Sequence, residues 1–113
     1  INLIVVHCSA TKADRDFTEQ DLEVCHRRRG MNGPGYHFYI RKNGDIKIYR
    51  PIERIGAHSR GFNKESIGIC YEGGLSADCT PADTRTLMQK GSLLALLREL
   101  RLLFPQSVDS GAS

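Results

Sequence analysis

A short run of apolar, mostly β-branched side chains near the start of the chain is the feature that most restricts its fold. Residues 2–7 are N-L-I-V-V-H. A continuous apolar run of this length is typical of a buried strand. The strand must therefore belong to a sheet that other elements cover, and its last residue, His7, is a polar side chain at the strand end.

The segment after this strand carries the signals of a helix. Thr18 can cap the helix start, and Asp21 follows three residues later, close to a capping box. Gly30 is a natural helix stop. The basic run at 27–29 has two interpretations: favourable charges at the negative end of the helix, or a rim that binds anions. We expect His26, which precedes these arginines, to lie at the surface.

Two further segments predict strands. Residues 36–41 and 46–50 flank an Asn-Gly pair, which is a strong hairpin signal. Residues 66–72 form a second apolar run and predict another buried strand. We expect Thr80-Pro81 to open a second helix, which ends at Phe104-Pro105.

The order strand, helix, hairpin, strand, helix predicts an α/β (mixed α+β) domain with a central mixed sheet and helices on its faces. A length of 113 residues fits one domain. We assign residues 1–105 to this domain and expect residues 106–113 to form a frayed or disordered polar tail. Sites in open sheets lie at strand ends and adjoining loops.

Three of the four histidines fall at or near predicted strands. His7 ends the first strand, His37 begins the second, and His58 lies in the long loop 52–65. If they converge, they suit a zinc site or an acid–base site. No local metal-binding signature joins them, so a hydrogen-bonded structural histidine is the competing interpretation of each.

Cysteine and serine nucleophiles fit less well. Cys8 follows His7 directly, and adjacent strand residues point to opposite faces. No G-x-S-x-G elbow surrounds any serine. The four cysteines form no C-x-x-C pair, and we expect reduced thiols.

Several motifs appear together in the order of a known family. They are V-V-H-C-S-A-T at 5–11, R-R-R-G at 27–30, G-Y-H-F-Y-I at 35–40, N-G-D-I at 43–46, R-P-I at 50–52, G-A-H-S-R-G-F-N at 56–63 and S-I-G-I-C-Y-E-G-G at 66–74. Over residues 3–105 this pattern resembles the type-2 N-acetylmuramoyl-L-alanine amidases, especially their phage-lysozyme branch. It also resembles the related peptidoglycan-recognition proteins.

The resemblance implies a zinc-dependent hydrolase that cleaves the lactyl–L-Ala amide of peptidoglycan with a zinc-activated water. His7 matches the first zinc ligand of the family. Tyr36 matches the tyrosine beside the zinc-bound water or the substrate carbonyl. Cys70 stands where some branches carry a catalytic glutamate, and the phage-lysozyme branch has cysteine there too. The residues expected to bind substrate are His37, His58, Arg60 and Asn63.

One departure from the family concerns the zinc site. The other two zinc ligands of the family follow the second helix, where a strand ends in a histidine and a loop supplies a cysteine or aspartate. Residues 106–113 contain neither histidine nor cysteine. We therefore expect an incomplete zinc site, and a sheet edge without its last strand that favours self-association.

The expected function is thus peptidoglycan amidase, and the alternative is a non-catalytic module that binds peptidoglycan or muropeptide. A third hypothesis is a partner-binding regulator, because some phage members of the family also bind a polymerase. The net charge of +3 permits an anionic partner without requiring one, and we expect no nucleic acid.

The expected location follows from the absence of targeting signals in the sequence. No signal peptide and no stretch of about 18 apolar residues is present. We expect cytoplasmic synthesis with action on the cell wall during phage or prophage lysis, or secretion if a leader preceding Ile1 was removed.

Overall fold

The computed structural model describes residues 1–31 and 33–111. It contains a main sheet, a small second sheet and two helices. In chain order the elements are β1 (Leu3–Cys8), β2 (Thr11–Lys12), α1 (Glu19–Arg28), β3 (Phe38–Ile40), β4 (Ile46–Ile48), a 3-10 helix (Asn63–Glu65), β5 (Ser66–Tyr71), β6 (Gly74–Leu75), α2 (Leu87–Leu103) and β7 (Val108–Gly111).

The main sheet has the strand order β4-β3-β5-β1-β7. β3, β5, β1 and β7 run parallel to one another, and β4 pairs antiparallel with β3 as the predicted hairpin. β2 and β6 form a separate parallel pair. The mixed α+β prediction, with a central mixed sheet, is therefore confirmed.

The two faces of the sheet have different contents. On the face that packs against α2, Ile4, Ile67 and Ile69 form an apolar core with Leu93 and Leu100. All five are at least 94% buried, and burying each such side chain contributes roughly 1.5–3 kcal/mol. Alternate strand residues point the other way, so the remaining side chains of the same strands face α1.

The predicted start of α1 is confirmed. Thr18 Oγ1 accepts a hydrogen bond from the Asp21 backbone N–H at 3.1 Å, and Asp21 Oδ2 accepts one from the Thr18 backbone N–H at 2.9 Å. The helix ends at Arg28, and Gly30 follows with φ of +83°. Residues with a side chain rarely adopt this left-handed backbone conformation, which explains a glycine at this position.

The predicted start of α2 is wrong. The helix begins at Leu87 with Thr86 as its cap, because Thr86 and Gln89 form a reciprocal capping box. Thr80 instead closes a turn, in which its carbonyl accepts from the Ser76 backbone N–H at 2.8 Å. Pro81 then pairs with Leu75 in an isolated bridge.

The C-terminal segment also differs from the prediction of a frayed tail. β7 pairs parallel with β1 from Leu3↔Val108 to Val6↔Gly111. The backbone N–H of Val108 donates to the Asn2 carbonyl at 3.0 Å. The edge of β1 that we expected to be open is therefore covered over these four pairs. The last two residues of the predicted tail, 112–113, lie outside the described residues.

This pairing has a simple physical basis. The unpaired N–H and C=O groups on the edge of β1 can accept a strand of any side-chain composition, because the hydrogen bonds are made by backbone. An ion pair between Arg101 and Asp109 also joins α2 to the strand. Across the described residues, neither helix has the length and apolar character needed to cross a membrane.

Candidate functional site

All four histidines and Tyr36 lie together on the α1 face of the sheet, and we call these five residues the histidine cluster. Ring centroids are 5.1 Å apart for His7 and Tyr36, and also for His7 and His58. They are 5.4 Å apart for His26 and Tyr36 and 6.0 Å apart for His37 and His58. Residues from β1, α1, the entry to β3 and the long loop therefore meet at one place.

Strand register positions His7 in this cluster. His7 pairs with Cys70 of β5, and Cys70 pairs with Tyr39 of β3, so the three residues form a row across the sheet. Cys70 and Tyr39 are fully buried, and His7 is 9% exposed. β1 thus ends at Cys8, one residue beyond the predicted strand end, and its His7 faces α1.

Gly68 and Gly56 have no side chains, and this leaves room for the imidazole ring of His58. A Cβ built on Gly68 would lie 2.5 Å from His58 Cγ, and one built on Gly56 would lie 2.7 Å from His58 Cδ2. Asn63 fixes the loop backbone, because its Oδ1 accepts from the N–H groups of His58 and Ser59 at 3.0 and 2.9 Å. The ring therefore rests directly on the β5 backbone at Gly68.

Hydrogen bonds engage both ring nitrogens of His58. Nδ1 lies 2.9 Å from His7 Nε2, and Nε2 lies 3.2 Å from Ser66 Oγ. Ser66 is buried. His58, which the resemblance implies as a substrate-binding residue, thus belongs to a chain of polar groups from Ser66 through His58 to His7.

His37 is held in a different way. Its Nδ1 accepts from the Gly68 backbone N–H at 3.1 Å, and its Nε2 lies 2.7 Å from the Arg54 carbonyl. The residue is 1% exposed. Both nitrogens are committed to the fold, and the expected substrate contact of His37 stays a prediction.

The expectation of a surface position for His26 is wrong. His26 is buried, and its Nδ1 accepts from the Gly35 backbone N–H at 3.2 Å. It follows Leu22 by four residues, so both side chains lie on the helix face that packs on the sheet. The neighbouring arginines occupy the other faces of the turn.

Burial keeps the histidine cluster uncharged. It lowers the pKa values of His7 and His37, and it lowers that of His58 to about 4 with help from the adjacent His7 and His37 rings. It also raises the pKa of Tyr36 well above the usual range for a phenol, with the nearby Cys70 thiol adding to this. At neutral pH the imidazoles are neutral and the Tyr36 hydroxyl keeps its proton.

The donor set does not fit a complete zinc site. Residues 1–31 and 33–111 hold no group of three His, Cys, Asp or Glu side chains that could bind a metal. Two nitrogens on one tetrahedral zinc, each about 2.0–2.1 Å from it, would lie about 3.3 Å apart. The nitrogens of His7 and His58 are closer, at 2.9 Å, and form a hydrogen bond.

The arginines at the end of α1 do not all have the same surroundings, and each of the two interpretations of this basic run fits some of them. Arg27 pairs with Glu23 within the helix at 2.9 Å. Arg28 and Arg29 instead line a cleft of about 860 Å³ between α1 and the segment after β1, where Lys12 and Arg15 also lie. None of the four histidines lines this cleft. Arg60 is exposed in the loop after His58.

The sequence of the chain carries a known family pattern. The profile of the N-acetylmuramoyl-L-alanine amidase family matches residues 1–106. The chain belongs to this family. An endolysin of Enterobacteria phage K11 is 38% identical over 103 residues, which are 91% of this chain and 68% of that relative. The resemblance found in the sequence is therefore confirmed.

Solved structures of amidases and related proteins share the fold. The N-acetylmuramoyl-L-alanine amidase LysC from Clostridium intestinale superposes with a TM-score of 0.82 at 35% identity, over 97% of this chain and 68% of that one. Bumblebee PGRP-SA gives the same TM-score at 21% identity, over 99% and 70% of the two chains. At that identity the second match shows the fold alone.

Ser66, Gly56 and Gly68 were not recognised as site residues from the sequence. A signal for two of them was present. In β5 the residues facing α1 are small (Ser66, Gly68 and Cys70), whereas Ile67 and Ile69 between them are large. Such an alternation indicates that another group packs close to the small side of the strand.

Proposed function

We propose that this chain is a peptidoglycan amidase that hydrolyses the amide between the lactyl group of muramic acid and L-alanine. Family membership supports the reaction class. The observation that carries the proposal is the pairing of His7 and Tyr36, with ring centroids 5.1 Å apart at the carboxyl end of β1. Strand ends of this kind are where open sheets hold their sites.

Tyr36 is proposed to act as a hydrogen-bond donor. Its hydroxyl remains protonated at neutral pH, because burial raises its pKa. A donor fixed at this position can stabilise the oxygen of the scissile carbonyl as negative charge develops on it. Its side chain is only partly buried, between His7, His26 and the buried Cys70.

Zinc is proposed as the cofactor on the family resemblance alone, and His7 is the residue of this chain that would hold it. The described residues do not complete a ligand set, so no catalytic step is assigned through zinc. Arg60 is proposed to contact the substrate from the exposed loop. His37, His58 and Asn63 are proposed to shape the substrate site beside His7 and Tyr36, since their polar atoms support backbone and ring positions.

The cell wall is the proposed place of action, and purified sacculi are the test substrate. We expect the chain, supplied with zinc, to release new alanine α-amino groups without new reducing sugar ends, which a glycosidase would produce. His7→Ala and Tyr36→Phe should reduce this release. Tyr71→Phe removes the same hydroxyl from the α2 face and should leave it unchanged.

The same experiment separates the alternative function. Sedimentation with sacculi without any release of amino groups would favour a peptidoglycan-binding module. A folded protein that neither binds sacculi nor releases amino groups in the presence of zinc would contradict both functions.

A further inference from the structure

A small pocket on the opposite flank of α1 from the large cleft brings three arginines together, and we call it the arginine pocket. It has a volume of about 210 Å³ and lies between α1, the loop before β3 and the segment after β4. Its charged lining consists of Arg27, Arg50 and Arg54 with one carboxylate, that of Glu23. Across the described part of the chain, it shares no lining residue with the large cleft or the histidine cluster.

The fold holds the guanidinium of Arg50 in place. Its Nε donates to the Pro34 carbonyl at 3.0 Å, and its Nη1 donates to the Ile55 carbonyl at 2.7 Å. Its Nη2 group makes no hydrogen bond with any described residue. A guanidinium that is already fixed, with N–H groups to spare, loses little conformational entropy when it binds an anion.

Arg54 adds a second guanidinium that has no counter-ion. Its backbone is fixed, because its N–H donates to the Pro51 carbonyl at 3.0 Å and its carbonyl lies 2.7 Å from His37 Nε2. Among the described residues, no carboxylate pairs with Arg50 or Arg54. Burial and the charge of Arg54 both lower the pKa of Arg50, as expected for neighbouring like charges without an anion beside them.

The remaining charged residues of the arginine pocket belong to α1. Arg27 donates from Nε and Nη2 to Oε1 of Glu23, at 3.0 and 2.9 Å, so this carboxylate is already paired within the helix. The three guanidiniums exceed the single carboxylate by two positive charges. A phosphoryl group carries about −1.5 to −2 charge at pH 7 and has three acceptor oxygens, whereas a carboxylate carries one charge and two oxygens.

We propose that the arginine pocket binds a phosphoryl group, with Arg50 and Arg54 as its main donors. The guanidinium fork matches phosphate oxygens in bidentate geometry. The pocket is smaller than the roughly 300–1,000 Å³ of sites for drug-sized ligands. This size suits one phosphoryl group, either free phosphate or the end of a phosphate monoester. The site goes beyond the proposed amidase function and does not depend on it.

The test is a titration of the full, ¹⁵N-labelled chain at pH 7 and constant ionic strength with inorganic phosphate, methyl phosphate or acetate. ¹H–¹⁵N spectra follow the backbone N–H groups and the Nε–H group of Arg50. We expect saturable shifts at Arg50, Arg54 and Gly33 with both phosphates, and about tenfold weaker binding of acetate, which has fewer acceptors and less charge. Tighter binding of methyl phosphate would identify an ester as the ligand, and tighter binding of inorganic phosphate would identify the free anion.

Three results of this titration would overturn the proposal. They are shifts that do not saturate, acetate binding as tight as phosphate binding, and shifts confined to Arg28 and Arg29 of the large cleft. None of these results depends on amidase activity, so failure of this proposal is distinguishable from failure of the proposed function.

Two exposed arginines provide a matched pair of substitutions. Arg54→Gln removes a guanidinium from the arginine pocket, and Arg98→Gln removes the same charge from the surface of α2. We expect Arg54→Gln to weaken phosphate binding roughly ten- to hundredfold, as for the loss of a hydrogen bond to a charged group. Arg98→Gln should leave binding nearly unchanged, because solvent and salt screen a distant exposed charge. Equal weakening by both would show general attraction to a basic protein and would reject the site.

Glu23→Gln should change the affinity in the opposite direction. It removes the one negative charge of the lining and releases Arg27 from its ion pair, so we expect tighter phosphate binding. The backbone spectrum without phosphate shows whether the variant is folded. Weaker binding by folded Glu23→Gln would contradict the charge complementarity on which the site depends.

Discussion

At the scale of single residues, the position of His58 depends on the absence of a side chain at one point of β5. A side chain on the α1 face of β5 at residue 68 would occupy the space of the imidazole ring. Glycine in a strand interior weakens the strand, and it is typical of places where another group approaches the backbone closely. Here the group that approaches is the ring that bonds to His7.

Gly68→Ala should therefore destabilise the protein, whereas Gly91→Ala should stabilise it. The Cβ at residue 68 would lie 2.5 Å from His58 Cγ, and overpacking of this kind costs about 1–3 kcal/mol. A Cβ at Gly91, inside α2, meets nothing within 4 Å, and alanine gains roughly 0.5–1 kcal/mol over glycine in a helix. Urea unfolding of both variants measures the difference, and equal stabilities would contradict the packing described for His58.

Residue positions were predictable from the sequence only where the signal was local. His7 and Tyr36 are placed by the strands next to them, whereas their proximity was implied only by the family resemblance, because β5 lies between β1 and β3. The His7–His58 bond joins residues 51 apart in the chain and depends on the path of a loop, which no local pattern specifies. The arginines beside His26 indicate a surface position, but its four-residue spacing from Leu22 places it on the buried face of α1.

At the scale of elements, Glu72 joins three segments just after β5. It is 1% exposed. Its carboxylate accepts from the Phe17 N–H at 2.6 Å, from the Lys42 N–H at 2.9 Å and from Arg41 Nε at 2.7 Å. The approach to α1 and the hairpin of β3 and β4 are thereby fixed to the end of β5.

Glu72→Gln should cost stability at pH 7 and little in acid. Burial alone would raise the pKa of Glu72, but the bonds from Arg41, Phe17 and Lys42 together lower it below 4.5. A depressed pKa gives stability that is fully present above the unfolded value and is lost as pH falls through the folded value. We expect the free energy of unfolding to fall by about 1–3 kcal/mol at pH 7, because the donors are left without an anionic acceptor.

Urea unfolding between pH 7 and pH 3 tests this, with the exposed Glu99→Gln as control. The difference between the parent and Glu72→Gln should shrink below pH 4.5, and Glu99→Gln should follow the parent throughout. A difference for Glu72→Gln that stays constant over this range would show that the charge of the carboxylate contributes nothing.

Elements with strong local signals were predicted correctly, and elements defined by distant partners were not. The apolar run of β1 and the capping residues of α1 are read within a few positions. Two segments before α2 carry capping signals, and only the one at Thr86 has the Gln three residues later that completes the box. β7 has no apolar pattern at all, because backbone pairing with β1 specifies it.

At the scale of the whole molecule, the sheet separates stability from chemistry. Its α2 face holds an apolar core, and its α1 face carries the histidine cluster. β1 supplies side chains to both faces, and β5 and β7 flank it on either side. The position of His7 therefore depends on keeping β1 inside the sheet. The short polar β7 contributes to this position because it covers one edge of β1.

Val108→Pro should detach β7 and expose the edge of β1. Proline removes the N–H that donates to the Asn2 carbonyl, and unpaired strand edges promote association between chains. We expect lower stability and concentration-dependent oligomers in sedimentation velocity. Val108→Ala keeps the N–H and shortens a side chain that is 64% exposed, so it should sediment like the parent. If Val108→Pro sediments like Val108→Ala at every concentration, loss of the first hydrogen bond of β7 has no effect on association between chains. That result would contradict the protection of the β1 edge by β7.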